Sequence, residues 1–412
     1  MKKLIGFLQL CIFNLYLCVS PSLQSEGRGI PARSFTPQEE MIQKAKGFLL
    51  SKQLPDGSWR SATYGLLKSG QSLTPFVLYS LSQTIRNGED QEKPWAQQSM
   101  EFLRAHGNID GAHGRSDPDI LDYPNYATSY ALECFLEFGE EKDKPVIQKM
   151  IHYLQNQQFS EPNGFSIKDP PYGGWGFGVN TKPTLSSFVD LSHTRRVLQS
   201  LAKAESLTPK IKIRAKRFLN LLQKRKFEKN FNSNVIWHEG TGYDGGFFSS
   251  PTISYANKGR TAVDPKSGKP FFRSYSTATC DGILALLALD TSSDNRFLKD
   301  ASEWLKNNED WKSPKGIPLN DPAPWRESIT LYNIMVQSEA FSALNFEGNW
   351  RHHLIQALRD RQAEDGSFAN MNGKLMKEDD PIISTSYALI ALSKGFPKSN
   401  NRTGNATEHS IF

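Results

Sequence analysis

The sequence predicts an all-α fold, an (α/α)6 toroid in which six helix-pair repeats close into a ring. The first observation is the unit itself. Residues 44–81 contain KAKGFLLSKQLPDGSW, a short loop, then SLTPFVLYSLSQ: a helical run, a Gly-rich turn and a second apolar run. The second is its recurrence. Anchor leucines return as Leu49, Leu103, Leu154, Leu219, Leu305 and Leu358, separated by 54, 51, 65, 86 and 53 residues. One such unit cannot bury its own apolar face and must stack on its neighbours. The third is a shared register. Thr74, Thr128, Thr194, Thr279 and Thr385 are each followed, six residues later, by Ser80-Leu81, Cys134-Phe135, Ser200-Leu201, Ala285-Leu286 and Ala391-Leu392. In the fifth unit this pattern puts Gln337 in the Thr position, ahead of Ala343-Leu344. A small residue at fixed height lets helices approach closely, and Thr serves backbone groups near a helix start.

Taken in order, the chain starts with Met1-Lys2-Lys3, an apolar stretch of 17 residues (4–20) and a polar segment. That pattern describes a secretory signal peptide over residues 1–22, and hence an exported protein, periplasmic or extracellular. An uncleaved anchor is the alternative, since the apolar stretch is marginally long enough to span a bilayer. Cys11 and Cys18 fall in this segment, leaving Cys134 and Cys280, too few for a disulfide framework and both in apolar runs. Buried free thiols are expected.

The toroid is expected over residues 40–393. Thr36-Pro37-Gln38-Glu39 reads as an N-cap with Pro in the first turn of the first helix. Repeats follow over 96–139, 145–204, 209–290, 296–344 and 350–392, the fourth carrying the longest insertion, 227–273. The tail, residues 394–412, is polar and expected to fray. First helices carry charge on part of their surface and second helices are more apolar, so the second ones form the inner ring. The long loops all join an outer to an inner helix and crowd the mouth where inner-helix N-termini point.

Composition bounds the partners. A chain of 412 residues approaches the limit of a single core, which a ring evades. With 38% hydrophobic and 22% charged residues it belongs with soluble globular proteins, not membrane or disordered ones. The net charge of +6 is small, and the densest basic segment, 210–229, alternates with apolar residues as a solvated helix face does. No nucleic-acid partner is expected. The oligomeric state is not encoded in any of these features.

Lys44-Ala45, Phe48-Leu49, Gln53, Gly57 and Trp59 match, without a gap, the Gln-Trp repeat signature of squalene-hopene and oxidosqualene cyclases. Arg214-Ala215, Phe218-Leu219 and Gln223 match its first half, and Leu358, Gln362, Gly366 and Phe368 its second. The chain thus resembles the terpenoid cyclase and protein prenyltransferase superfamily over about residues 40–393. The resemblance implies an α/α toroid with a central cavity for a small hydrophobic or isoprenoid ligand. It also implies a catalytic acid set, Asp-x-Asp-Asp-Thr, at an inner-helix start. Here the third repeat offers Asp190, Leu191, Ser192, His193 and Thr194, so the proton donor's place falls on Ser192. No repeat carries the acid set, which disfavours squalene-type cyclisation.

Asp190 and His193 are the best acid–base pair. At i, i+3 on a helix start they share a face, and the carboxylate orients the imidazole and raises its basicity. The structural alternative is an N-cap beside a core histidine. Arg195, near the same helix start, suits an anion or an ion pair with Glu133 or Glu339. Tyr275 and Asp281 occupy the corresponding stretch of the fourth repeat. Aromatics in the glycine-interleaved loops (Tyr172, Trp175, Phe177, Trp237, Tyr243, Phe247 and Phe248), with Asp244, either line a ligand site or plug gaps between helices. No cofactor is expected. His193, Cys280 and Asp281 supply the ligand types of the prenyltransferase zinc, but adjacent Cys and Asp point about 100° apart on a helix. Zinc is therefore a minor reading.

Three functions follow: an exported toroid binding or transforming an isoprenoid or other lipid, a carbohydrate-active (α/α)6 enzyme, or a non-catalytic ligand-binding or scaffold protein.

Overall fold

The computed structural model describes residues 35–85, 93–116, 122–178, 188–225, 243–252, 256–258, 262–263 and 270–396. The segment 1–22 and nearly all of 394–412 lie outside these residues, as does Trp237.

Among the described residues there are thirteen helices, twelve of which alternate between two shells. The inner shell comprises α2 (Leu73–Ser82), α4 (Pro124–Phe138), α6 (Leu191–Lys203), α8 (Ser276–Ala288), α11 (Thr330–Ala343) and α13 (Pro381–Lys394). Each packs on the next, and α13 packs on α2, so the inner ring closes. The outer shell comprises α1 (Pro37–Ser51), α3 (Pro94–His106), α5 (Lys144–Asn156), α7 (Pro209–Leu222), α9 (Arg296–Asn307) and α12 (Trp350–Arg359). A one-turn α10 (Trp325–Ser328) precedes α11. α1 starts as its sequence dictates, with Thr36 and Glu39 forming a reciprocal capping box and Pro37 in the first turn.

The Gln-Trp signature is a clasp between neighbouring repeats. Gln53 Nε2 donates to the carbonyls of Gly57 (3.2 Å) and Trp95 (2.8 Å), tying its own turn to the start of α3. Gln158, Gln223 and Gln362 repeat this towards Ile211, Phe297 and Met41. The last of these reaches α1, so the same clasp closes the ring. Gly57 has φ +82°, and a Cβ there would collide with the carbonyl of Gln98. Trp59 is fully buried, its indole N–H donating to Leu49 O at 2.7 Å.

The threonine register has one backbone purpose. Thr74, Thr128, Thr194, Thr279 and Thr385 Oγ1 accept the N–H groups of Trp59, His113, Trp175, Phe247 and Phe368 at 2.9–3.1 Å. In repeat five the structure moves the register by three residues. The helix ends mark it: Ser206 N–H bonds to Leu201 O, Thr291 to Leu286 O and Phe346 to Phe341 O. Phe341 is therefore the counterpart of Leu201 and Leu286, Ala340 is the small residue, and Ile334, not Gln337, stands in the Thr position.

Four two-residue strands form two antiparallel ribbons. β1 (Trp175–Gly176) pairs with β2 (Val189–Asp190), and β3 (Ala262–Val263) with β4 (Pro270–Phe271). The first ribbon sets Asp190 opposite Trp175 at the entrance to α6.

Candidate functional site

Where the inner helices begin, the ring leaves a cavity of about 400 Å³. Its lining follows from the corrected register. The residue two before each register position is Ser72, Tyr126, Ser192, Thr277, Tyr332 or Ile383, and all six line the cavity. None is a carboxylic acid. Two residues after the register, Phe76, Tyr130, Asp281 and Tyr387 line it one turn deeper. Loops supply Phe177, Phe188, Lys258 and Lys377 at the mouth, and α10 supplies Trp325.

Asp190 and His193 both face this space. Asp190 Oδ1 accepts the backbone N–H of His193 at 2.8 Å, capping α6, and the Ser192 hydroxyl at 2.9 Å. Its Oδ2 lies 2.8 Å from His193 Nδ1. The cap and the dyad are thus one arrangement and not alternatives. Burial works to raise the Asp190 carboxyl, but the charge of His193 and the hydrogen bonds of His193 and Ser192 outweigh it and hold it below its usual value. His193 Nε2 is buried without a hydrogen-bond partner among the described residues. The ring is held by aromatic faces, with centroids of Tyr126 at 4.3 Å and Phe177 at 4.8 Å. A hydrogen on Nδ1, facing the carboxylate, leaves Nε2 as the basic atom.

Beneath this level, Arg195 ties three helices together. Its Nε donates to Asp281 Oδ1 (3.1 Å), Nη1 to Glu339 Oε2 (3.3 Å) and Gln199 (2.9 Å), and Nη2 to the Tyr332 hydroxyl (3.3 Å). Tyr332 in turn donates to Asp281 at 3.0 Å. Burial pushes the Asp281 carboxyl up to about 6 even though Arg195 and Tyr332 favour its charged form. Arg196 meets Glu133 of the neighbouring α4 and lies over the Tyr79 and Tyr130 faces at 5.0 and 4.7 Å. Adjacent arginines thus serve opposite neighbours, and both are ion-paired. Neither is available as an anion clamp.

The other sequence candidates sit elsewhere. Tyr275 lines the cavity and donates to Ala256 O at 3.0 Å. Tyr172 lies on the outer side of the ring, donating to Glu161 at 2.8 Å. Trp175 is fully buried, its indole N–H bonded to Leu154 O, the gap-filling position that Trp59 takes in the first repeat. Tyr243 and Asp244 border a separate surface depression with Asp300 and Trp304. Asp244 accepts from Ser274 (2.7 Å) and Trp304 Nε1 (3.1 Å), bracing a loop against α9. These four lie away from the central cavity because glycine-interleaved loops fold over the outside of the ring as well as its mouth. Cys280 is wholly buried and outside the cavity lining, and burial pushes its thiol up. Among the described residues no group of three His, Cys, Asp or Glu side chains is placed to hold a metal ion.

Sequence reasoning missed Tyr126, Tyr332 and Tyr387, the two lysines, and Glu378. The last is buried and caps α11 from a distant loop, accepting from Leu331 N–H (3.0 Å) and Tyr332 N–H (2.7 Å). The register, extended two residues each way, reaches Tyr126 and Tyr387, whereas Tyr332 follows only once the fifth repeat is shifted to Ile334.

No family profile matches the chain. Solved structures that superpose over nearly all of the toroid decide the fold. A variant of type II terpene cyclase MstE from Scytonema, in complex with merosterolic acid A, aligns at TM-score 0.52 and 14% identity. It covers 87% of this chain and 96% of that one. The fold is an (α/α)6 toroid. The same toroid is found in a protein from Actinoplanes (TM-score 0.52, 12% identity, 87% and 99% covered). It also occurs in the GH76A α-1,6-mannanase of Salegentibacter sp. HEL1_6 (0.51, 11%, 86% and 98%). One ring therefore accommodates different reactions. Among curated proteins, an α-2-macroglobulin of Thermotoga maritima is 26% identical over 167 residues, 40% of this chain. The match spans a tenth of that relative's length.

Proposed function

We propose that this toroid binds an isoprenoid or other lipid in its central cavity and uses the Asp190–His193 dyad for proton transfer to or from it. The observation that supports this is the cavity: aromatic and aliphatic walls surround a buried imidazole whose Nε2 has no partner among the described residues. A ligand is held by contact with Phe76, Tyr126, Phe177 and Tyr387, and Asp190 keeps the imidazole oriented. The terpene cyclase with the same fold was seen with merosterolic acid A, a precedent for an apolar ligand in such a ring. Alkene protonation in the manner of squalene cyclases is not part of the proposal, since no acid occupies the six positions that ring the cavity. The basic, apolar N-terminal segment supports export, and the protein then acts outside the cytoplasm. No helix of the described residues is long and apolar enough to cross a membrane.

The carbohydrate-active reading has one observation in its favour: Asp190 and Asp281 line the same cavity with titrations displaced in opposite directions. Against it, both carboxylates are committed to protein partners. Of the third reading, a scaffold predicts a filled centre, which the cavity counts against, and a non-catalytic binding ring predicts that a ligand binds and that Asp190→Ala and His193→Ala change only stability.

Titration calorimetry of the full chain with farnesol and with a mannose trisaccharide separates these readings. Saturable binding of one farnesol per chain, lost on filling the cavity by Ser192→Trp, supports the proposal. Binding of the trisaccharide alone would transfer the cavity to the second reading.

A further inference from the structure

The geometry points to an apolar ligand that ends in an anionic group, with that group held between Lys258 and Lys377 at the cavity mouth. This inference rests on the lipid reading and narrows its substrate class.

The two lysines are misplaced for a purely apolar site. Both line the cavity and both are only partly exposed. Neither forms an ion pair among the described residues. Lys258 Nζ lies 4.6 Å from the centre of the Trp325 ring. Lys377 Nζ donates to the Tyr123 hydroxyl at 2.8 Å and lies over the Tyr123 and Tyr64 rings at 5.2 and 5.6 Å. Aromatic faces and a neutral hydroxyl hold an ammonium group in place without cancelling its charge. A cation drawn partly out of water is best satisfied when a counter-charge meets it.

Among the described residues no carboxylate lies within ion-pair distance of either lysine. Asp190 acts on Lys258 from a distance, but both of its oxygens are taken by His193 and Ser192. Lys377 opposes Lys258 by like-charge repulsion, and burial with that repulsion keeps the Lys258 ammonium below its usual value. Asp281 is engaged by Arg195 and Tyr332.

The backbone around Lys377 is also held against its preference. Lys377 (φ +61°) and its partner Tyr123 (φ +50°) both occupy the left-handed region that non-glycine residues avoid. Such strain persists where the surroundings fix it, and here it aims one lysine at the mouth. A carboxylate or a phosphate satisfies both ammonium groups, while the apolar chain runs inward past Tyr126 towards Tyr387. Either head group gives charge-assisted hydrogen bonds of the same kind.

The test is direct binding of farnesol, farnesoic acid and farnesyl monophosphate to the full chain, in wild type and in Lys258→Met and Lys377→Met. Wild type is expected to bind at least one anionic ligand tenfold or more tighter than farnesol, about the worth of one charge-assisted hydrogen bond. The tighter of the two anions identifies the head group. Each lysine variant is expected to lose most of that preference and to bind farnesol as before, which also shows that it folds. Equal affinity for farnesol and both anions would overturn the head-group site while leaving the lipid cavity standing. Failure of all three to bind would overturn both.

Discussion

Asp190 holds His193 by two bonds at once, taking its backbone N–H on Oδ1 and its ring Nδ1 on Oδ2, each at 2.8 Å. One side chain therefore starts α6 and orients the imidazole, and substitution can separate the two roles. Asp190→Ser retains a cap and is expected to be about 1 kcal/mol more stable than Asp190→Ala in urea unfolding. Both variants are expected to lose the downfield proton resonance of the carboxylate-bound Nδ1–H. Persistence of that resonance in Asp190→Ser would mean that the ring is held by other groups.

Glu378 links stability to pH. Burial raises its carboxyl from 4.5 to about 7, although Asn370 and the N–H groups of α11 favour the charged form. The folded chain thus binds this proton more tightly than the unfolded chain. Its stabilising effect is full below about 4.5 and lost as pH rises through about 7, a swing on the order of 3 kcal/mol. Asp281, raised to about 6, acts in the same direction. Urea unfolding at several pH values between 5 and 8 is expected to show a flatter profile for Glu378→Gln than for wild type.

Arg195 is the counter-ion of two buried carboxylates, Asp281 and Glu339. Removing it strands both, so Arg195→Met is expected to cost about 3–5 kcal/mol at neutral pH. Neutralising the partners as well, in Arg195→Met/Asp281→Asn/Glu339→Gln, is expected to recover most of the loss. Chemical denaturation of wild type, Arg195→Met, Asp281→Asn/Glu339→Gln and the triple variant measures the coupling.

The ring is closed by Gln362, whose Nε2 donates to Met41 O at 3.0 Å and Gly366 O at 3.1 Å. Gln38 reinforces this seam, donating to Leu392 O at 2.7 Å. Gln362→Met removes both bonds at a cost of roughly 1–3 kcal/mol. Hydrogen exchange is expected to rise first in α1, which the clasp holds against the last repeat.

The ring was legible in the sequence because its marks are local and repeated. Leu49 and its counterparts fix the outer helices, and Thr74 and its counterparts fix the height of the inner ones. The fifth repeat misled because Ile334 lacks the hydroxyl that marks the others, and Gln337 stands three residues away in a plausible place. Asp190 and His193 were legible as a local i, i+3 pair. Lys258 and Lys377 were not, since loop lysines carry no periodicity and their meeting depends on how two distant loops fold over one mouth. Trp175 and Tyr243 misled for the converse reason: aromatics among glycines look alike in sequence, whether they face a cavity or seal the outside.

The most direct measurement is a native mass spectrum of the protein taken gently from its host. A single bound apolar molecule, released on denaturation and replaceable by farnesol, is the result expected of a lipid-binding toroid. A bare chain that takes up no farnesol, or one carrying a glycan in its place, would contradict it.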